Sequence, residues 1–128
     1  MVSECTLEVQ GYNLDSFGHV NNAVYLNYME TGRWKFLKDN DILDYLMERE
    51  LYLVVIETSI RYIRELTLFE KFKVVSTWKL DGNYIIADQV IYKDNGKKSA
   101  SATVKMLLVS KERLVFDVPE RVKQVIVG

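Results

Sequence analysis

Hydrophobic and polar residues recur at two different periods along this chain, and the changes of period divide it into elements. Residues 3–12 alternate, with Cys5, Leu7 and Val9 on one side and Thr6, Glu8 and Gln10 on the other, as in a half-buried strand. Gly11 and the polar residues behind it end that strand. Residues 12–21 predict a loop, since Asp15, Gly18 and Asn21 all disfavour regular structure. From Asn22 to about Lys38 the period is helical, with Tyr25, Tyr28, Met29, Gly32 and Phe36 on one side and Asn27, Thr31, Lys35 and Lys38 on another. Ala23, Leu26, Trp34 and Leu37 widen the apolar share to most of the circumference, which predicts a buried helix rather than a surface one. Gly32 weakens that helix but lets its backbone come close to a sheet. Asn40 and Asp41 stop it, and Ile42 to Arg49 predicts a short second turn or helix.

Four strand-like runs follow. Leu51 to Ile56 is continuously apolar, after which Thr58, Ile60 and Tyr62 alternate with Glu57, Ser59 and Arg61. Phe72, Val74, Ser76, Trp78 and Leu80 alternate with polar residues up to the Asp81-Gly82-Asn83 turn. Tyr84 to Tyr92 and Lys98 to Ser110 flank Asp94-Asn95-Gly96, a hairpin signal of the Asn-Gly type. Such short turns predict an antiparallel meander. The only proline, Pro119, suits the first turn of a short helix from Glu120 to about Val127 with Val122, Val125 and Ile126 inward. A five-stranded antiparallel sheet has one face to cover, and the long helix is its cover: an α+β layer arrangement.

Composition narrows the picture slightly. At 128 residues the chain predicts one domain, residues 1–128, with a core of its own. Seventeen basic against eighteen acidic residues leave a charge of -1, so no basic field argues for nucleic acid. No run approaches a membrane span, and the N-terminus lacks a basic region followed by an apolar block. The single cysteine, Cys5, can form neither an internal disulfide nor a metal site, and reads as a strand residue in a reducing, cytoplasmic setting.

The chemistry concentrates in Asp15-Ser16-Phe17-Gly18-His19-Val20-Asn21-Asn22-Ala23-Val24-Tyr25. It holds a carboxylate, the only histidine and two adjacent asparagines at the start of the long helix. Taken alone, Asp15 reads as a loop or helix cap. Asn21 and Asn22 suit helix capping and loop fixation, and Asn21 could also orient a water. His19 could shuttle protons or lock the loop by hydrogen bonds. The N–H groups near Ala23, Val24 and Tyr25 open a helix and point at whatever sits over its end.

The run Asp15-x-x-Gly18-His19-Val20-Asn21-Asn22-x-x-Tyr25, followed by Tyr28, Glu30 and Arg33, resembles the signature of hot-dog-fold acyl-CoA thioesterases of the 4-hydroxybenzoyl-CoA thioesterase type. The order strand, helix, strands extends the resemblance over about the first 110 residues, and Arg61-Tyr62-Ile63-Arg64 is similar to the family's second strand. The resemblance implies a hot-dog fold: a five-stranded antiparallel sheet wrapped around a long central helix, here with a short C-terminal helix. It implies hydrolysis of an acyl-CoA thioester without metal or cofactor, with Asp15 as catalytic carboxylate, either nucleophile or general base. His19, Asn21 and Asn22 take auxiliary or positioning roles, and the backbone of Ala23, Val24 and Tyr25 polarises the thioester carbonyl. Tyr25, Tyr28 and Met29 would wall the acyl pocket, Arg61 and Arg64 would meet CoA phosphates, and the chain would form a homodimer or homotetramer with sites between subunits.

Two departures stand out. Asn13 occupies a position where many relatives carry a second acid, so no carboxylate pair is available. Glu65-Leu66 replaces a proline-containing turn. Two other functions remain open: the same hydrolysis on an acyl carrier protein, and a non-catalytic acyl-binding protein.

Overall fold

Each alternating run folds as a strand and each helical run as a helix. A computed structural model describes residues 1–128. In chain order the elements are β1 (Val2–Glu8), a 3-10 turn (Gly11–Asn13), α1 (Asn22–Asp39), α2 (Ile42–Glu48), β2 (Tyr52–Tyr62), β3 (Lys71–Asp81), β4 (Tyr84–Lys93), β5 (Lys98–Val109) and α3 (Glu120–Val127). The strands form one antiparallel sheet in the order β1-β3-β4-β5-β2, and α1 lies across one face of it, the hot-dog arrangement. No helix is long and apolar enough to cross a membrane.

The meander is shorter than the turn signals imply. Only β3, β4 and β5 are joined by tight hairpins; β2 pairs with β5 at one edge, and β1 with β3 at the other. The reason is the connection after β2. Residues 63–70 form a loop rather than a two-residue turn, and they carry the chain across to β3. That crossing leaves the start of β3 beside β1 and places the 63–70 loop near the beginning of α1.

Beneath α1 the core divides along the helix. Tyr25, Tyr28 and Met29 pack with Phe72, Val74 and Ile91, the Tyr28 and Phe72 rings 4.6 Å apart. Toward its C-terminal end Phe36 stacks on Trp78 at 4.2 Å, joined by Ile42 and Leu46 of α2 and Val122 and Ile126 of α3. Cys5 is buried in the first group, and burial pushes its thiol pKa up, which makes it an inert strand residue.

α1 is not buried around most of its circumference. Leu26 and Trp34 remain 42% and 52% exposed, Trp34 in a groove that it shares with Leu53 and Val55 of β2. The buried face is the Tyr25, Tyr28, Met29, Gly32, Phe36 stripe, and Gly32 sets its depth. A Cβ there would lie 2.8 Å from Val74 Cγ1 and 3.3 Å from Gln89 Nε2. Gln89 is fully buried in β4, and its amide donates to the Met29 carbonyl and to Ser76 Oγ, each at 2.9 Å. Its oxygen accepts from Arg33 at 3.0 Å. A buried polar group without partners is costly, and this one is satisfied on both ends, so it ties helix to sheet.

Gly32→Val should therefore lower stability by about 2 kcal/mol or more through overpacking. Gly32→Ala should fall closer to balance, because about 1 kcal/mol of helix propensity offsets a smaller clash. Urea unfolding of both variants beside wild type checks the order.

Candidate active site

The loop before α1 is built around Asp15 and Asn13. Its ends are drawn together by the Asp15 N–H donating to the His19 carbonyl at 2.7 Å and by a bridge between Leu14 and Val20. Gly18 turns the chain at φ +79°, a conformation few side chains adopt, while its N–H donates to the Asp15 carbonyl at 3.1 Å. Asp15 Oδ1 accepts from the Phe17 and His19 backbones at 2.9 and 3.2 Å. Oδ2 accepts no hydrogen bond within the chain. Asp15 is thus a loop cap with one oxygen to spare, and capping and chemistry do not exclude each other.

Asn13 fixes this loop to the helix. Its Oδ1 accepts from the Gln10 backbone at 2.8 Å and from the Tyr28 hydroxyl at 2.9 Å, and its carbonyl accepts from the Asn21 N–H at 3.0 Å. The asparagine found where relatives carry an acid is a buried structural hub.

The opening of α1 departs from expectation. Asn21 caps it as predicted, but in doing so its side chain accepts from Ala23 N–H at 3.0 Å and its carbonyl from Val24 N–H at 2.9 Å. Two of the three backbone donors assigned to a substrate carbonyl are therefore engaged. A strong N-cap satisfies the very groups that an uncapped helix would leave open. The cap leaves the Asn22 N–H open, whereas Tyr25 lies past the first turn, where a helical N–H points back along the axis toward the carbonyl four residues earlier.

Facing the Asp15 loop are the end of β2 and the loop after it. Together they enclose a cavity of 290 Å³ lined by Asp15, His19, Val20, Asn22 and Tyr25 on one side and Tyr62, Ile63, Arg64 and Glu65 on the other. Several bonds hold the two sides at a fixed separation. Tyr62 donates to the Asn22 carbonyl at 3.1 Å, the Leu66 N–H donates to the Tyr25 hydroxyl at 3.3 Å, and Glu65 lies 3.2 Å from His19 Nε2. Lys93 reaches from β4 to donate to the Glu65 carbonyl and to pair with Glu70 at 3.4 Å, both largely shielded from solvent. The His19–Glu65 pair is open to solvent and so contributes orientation more than energy.

Of the residues read from sequence, the cavity collects Asp15, His19, Asn22, Tyr25 and Arg64. Asn21 sits beside it as the cap. Tyr28 and Met29 are buried against the sheet at 6% and 1% exposure and do not line this cavity. Arg61 does not accompany Arg64: it lies with Ser59, Asp88 and Thr103 on the sheet face turned away from α1. One residue separates strand neighbours onto opposite faces, and the chain leaves β2 between Tyr62 and Arg64.

Residues 9–126 match the model of the thioesterase-like superfamily. The chain belongs to that superfamily. It is 35% identical over 86 residues to the long-chain acyl-CoA thioesterase FadM of Escherichia coli (strain K12), a stretch covering 66% of this chain and 65% of FadM. The matched stretch thus spans just under two thirds of that relative. The crystal structure of YbaW from Escherichia coli superposes with a TM-score of 0.87 at 27% identity, covering 97% of this chain and 96% of the other. The 1,4-dihydroxy-2-naphthoyl-CoA thioesterase Slr0204 from Synechocystis has a TM-score of 0.90 over 99% of this chain and 96% of its own at 14% identity, which speaks for the fold.

Within this superfamily member, sequence reasoning missed Glu65 as the partner of His19, Lys93 as the staple of the far wall, and Gln89 beneath the helix. Lys93 and Gln89 are ordinary strand positions in sequence, and all three acquire their partners from residues far along the chain. For Glu65 the departure from a proline turn was the available signal.

Tyr28 offers a test of how the loop is anchored. Burial, with smaller contributions from Tyr25 and Tyr12, pushes its phenol up to about 12 from an ordinary 10. Over that window the unfolded chain binds fewer protons than the native one, so stability should fall as pH rises from 10 to 12 and be unaffected by this group below 10. Tyr28→Phe should flatten that fall and cost about 1 kcal/mol at neutral pH, one hydrogen bond to Asn13. Denaturant unfolding at pH 8, 10 and 11 (roughly the span of that titration) separates the two effects.

Proposed function

We propose that this chain hydrolyses an acyl-CoA thioester to the free acid and CoA. The observation that carries the reading is Asp15 Oδ2, an oxygen without a partner on a residue that lines the cavity at the N-terminus of α1, while Oδ1 is held by two backbone N–H groups. A thioester carbonyl over the helix end would meet the open N–H group of Asn22, where the helix dipole favours the developing negative charge. Asp15 then either removes a proton from an attacking water or attacks the carbonyl carbon itself. In both routes the C–S bond breaks and the sulfur leaves as the CoA thiolate; after direct attack, water must then hydrolyse the acyl–Asp15 anhydride to release the acid and restore the carboxylate. His19, held by Glu65, is placed to hydrogen-bond the substrate or the loop, in keeping with a positioning role. Arg64 supplies the cation nearest the cavity for a CoA phosphate, a role that Arg61 is badly placed to share.

A homodimer fits the same reading. β2 is an eleven-residue edge strand that exposes Tyr52, Val54, Val55 and Ile56, whereas natural edges are more often short or charged. Pairing this edge with its copy would bring two cavities to one interface.

The test is turnover of an acyl-CoA panel, with matched acyl carrier protein substrates as the alternative carrier. Asp15→Asn should lower kcat by about 100-fold or more, the scale of general base or nucleophile loss. Equal rates in both proteins would remove Asp15 from the reaction, and binding without turnover by wild type would leave an acyl-binding protein instead. A single turnover in ¹⁸O-water that leaves label in the Asp15 carboxylate establishes direct attack, since general-base catalysis labels only the released acid.

A further inference from the structure

Two tyrosines of α1, Tyr25 and Tyr28, are buried one turn apart, and their hydroxyls have different partners. The Tyr28 hydroxyl donates to Asn13 Oδ1 at 2.9 Å. The Tyr25 hydroxyl only accepts: the Leu66 N–H donates to it at 3.3 Å, and its own O–H has no acceptor within the chain. A buried phenol usually finds an acceptor, because desolvating a donor without one is costly. Tyr25, at 4% exposure, departs from that rule, and it does so on the lining of the cavity beside Asp15.

The position of this hydroxyl is fixed from several directions. Its ring packs edge-on against Tyr62 at 5.3 Å and Tyr28 at 6.1 Å. Its oxygen reaches the loop after β2, which is itself anchored: the Ile63 and Arg64 N–H groups donate to the Ser99 carbonyl at 2.8 and 3.0 Å. Tyr25 thus spans from α1 to the far wall, with the hydroxyl where the two walls meet. An oxygen that already accepts a hydrogen bond is also a stronger donor, since each bond polarises the next.

Asp15 Oδ2 is a free acceptor on the lining of the same 290 Å³ cavity, and it does not bond to the Tyr25 O–H. A free acceptor and a free donor that do not meet leave room for a group answering both. A thioester does so. Its carbon is the atom attacked by Asp15 or by a water that Asp15 deprotonates, and its oxygen becomes a stronger acceptor as attack proceeds.

We propose that Tyr25 is a catalytic residue whose hydroxyl donates to the thioester carbonyl oxygen and, with the Asn22 N–H, holds the oxyanion. The inference rests on the thioesterase reading above and deepens it. As the new C–O bond forms, the carbonyl π pair moves onto oxygen, where the Tyr25 O–H meets it. The pair returns as the C–S bond breaks, and the phenol keeps its proton throughout. The hydroxyl takes the place of the Ala23 and Val24 N–H groups, which Asn21 already engages.

Tyr25→Phe keeps the ring and removes only the hydroxyl, and circular dichroism checks that it folds. Hexanoyl-, benzoyl- and hexadecanoyl-CoA serve as substrates. S-hexyl-, S-benzyl- and S-hexadecyl-CoA, matched thioethers without the carbonyl, serve as ligands. Expected is a fall in kcat of about 100-fold or more on each thioester that wild type hydrolyses, the scale of one lost oxyanion donor. Thioether affinity, read by calorimetry, should not change. In Asp15→Asn, which holds the thioester uncleaved, a ¹³C-labelled carbonyl should absorb at lower infrared frequency bound than free, and adding Tyr25→Phe should reverse much of that shift. A wild-type kcat in Tyr25→Phe, a loss of thioether affinity that matches the loss of kcat/KM, or a carbonyl frequency indifferent to the hydroxyl overturns the assignment and leaves the hydrolase intact. If Tyr25→Phe does not fold, 4-fluorophenylalanine at position 25, which fills the hydroxyl's volume but cannot donate, replaces it in every arm. Absence of turnover by wild type on any CoA or carrier-protein thioester overturns the thioesterase reading itself.

Discussion

The contact between Gly32 and the sheet governs the rest of the molecule. With no side chain at that position, α1 lies close enough to β3 and β4 for Gln89 to reach the Met29 carbonyl, and for Arg33 to reach Gln89. A helix seated this deeply cannot shift along the sheet without abandoning a fully buried amide, and an unsatisfied buried amide is among the costlier defects a core can hold. Fixing α1 at its middle fixes both of its ends. One end brings Phe36 onto Trp78 and receives α2 and α3; the other delivers the N-terminus to the mouth of the candidate site.

At that mouth, order is imposed by hydrogen bonds rather than by apolar packing. Asn13 connects the turn after β1, the Asp15 loop and α1 through three bonds. Lys93, Ser99 and Tyr25 do the same for the loop after β2: Ser99 Oγ donates to the Arg64 carbonyl at 2.7 Å, and the Tyr25 hydroxyl accepts from Leu66. Loops built in this way tolerate a polar, water-accessible cavity between them, which a hydrophobic contact would have closed. The arrangement suits the role proposed for Asp15, which needs one carboxylate oxygen kept available. A side chain locked by backbone donors on one oxygen can present the other in a defined direction, and that is the preorganisation a thioester reaction needs.

The elements were readable from sequence because local period decides them. The two strand patterns, the Asn-Gly hairpin and the Pro119 helix start all fall where periodicity and turn chemistry put them. Asp15, His19, Asn22 and Tyr25 meet in one cavity because a single contiguous motif carries them. Pairings between distant segments were not readable. Nothing local tells that β2 joins β5, that Glu65 meets His19, or that Lys93 ties down a loop twenty-odd residues earlier. The helix N-terminus was misjudged for a different reason. Counting orphan donors from helix geometry ignores the cap, and the sequence had already identified Asn21 as the residue that engages two of them.

The breadth of apolar residues on α1 shows how one pattern can have two causes. Periodicity records which positions avoid water, but not what excludes the water. On the Tyr25, Tyr28, Met29, Phe36 stripe the excluding surface is the sheet. On the Trp34 side it is not: Trp34 looks across a gap at Leu53 and Val55. Isolated exposed apolar residues need no explanation, but facing apolar walls at the edge of one sheet are a different matter. Packing alone would favour closing the gap, and what opposes closure is the fixed separation of α1 from β2. That separation is set at the helix middle by Gly32 and Gln89 and at the helix start by Tyr62 on Asn22. The same contacts that position the N-terminus over the cavity therefore also keep the apolar gap behind it open.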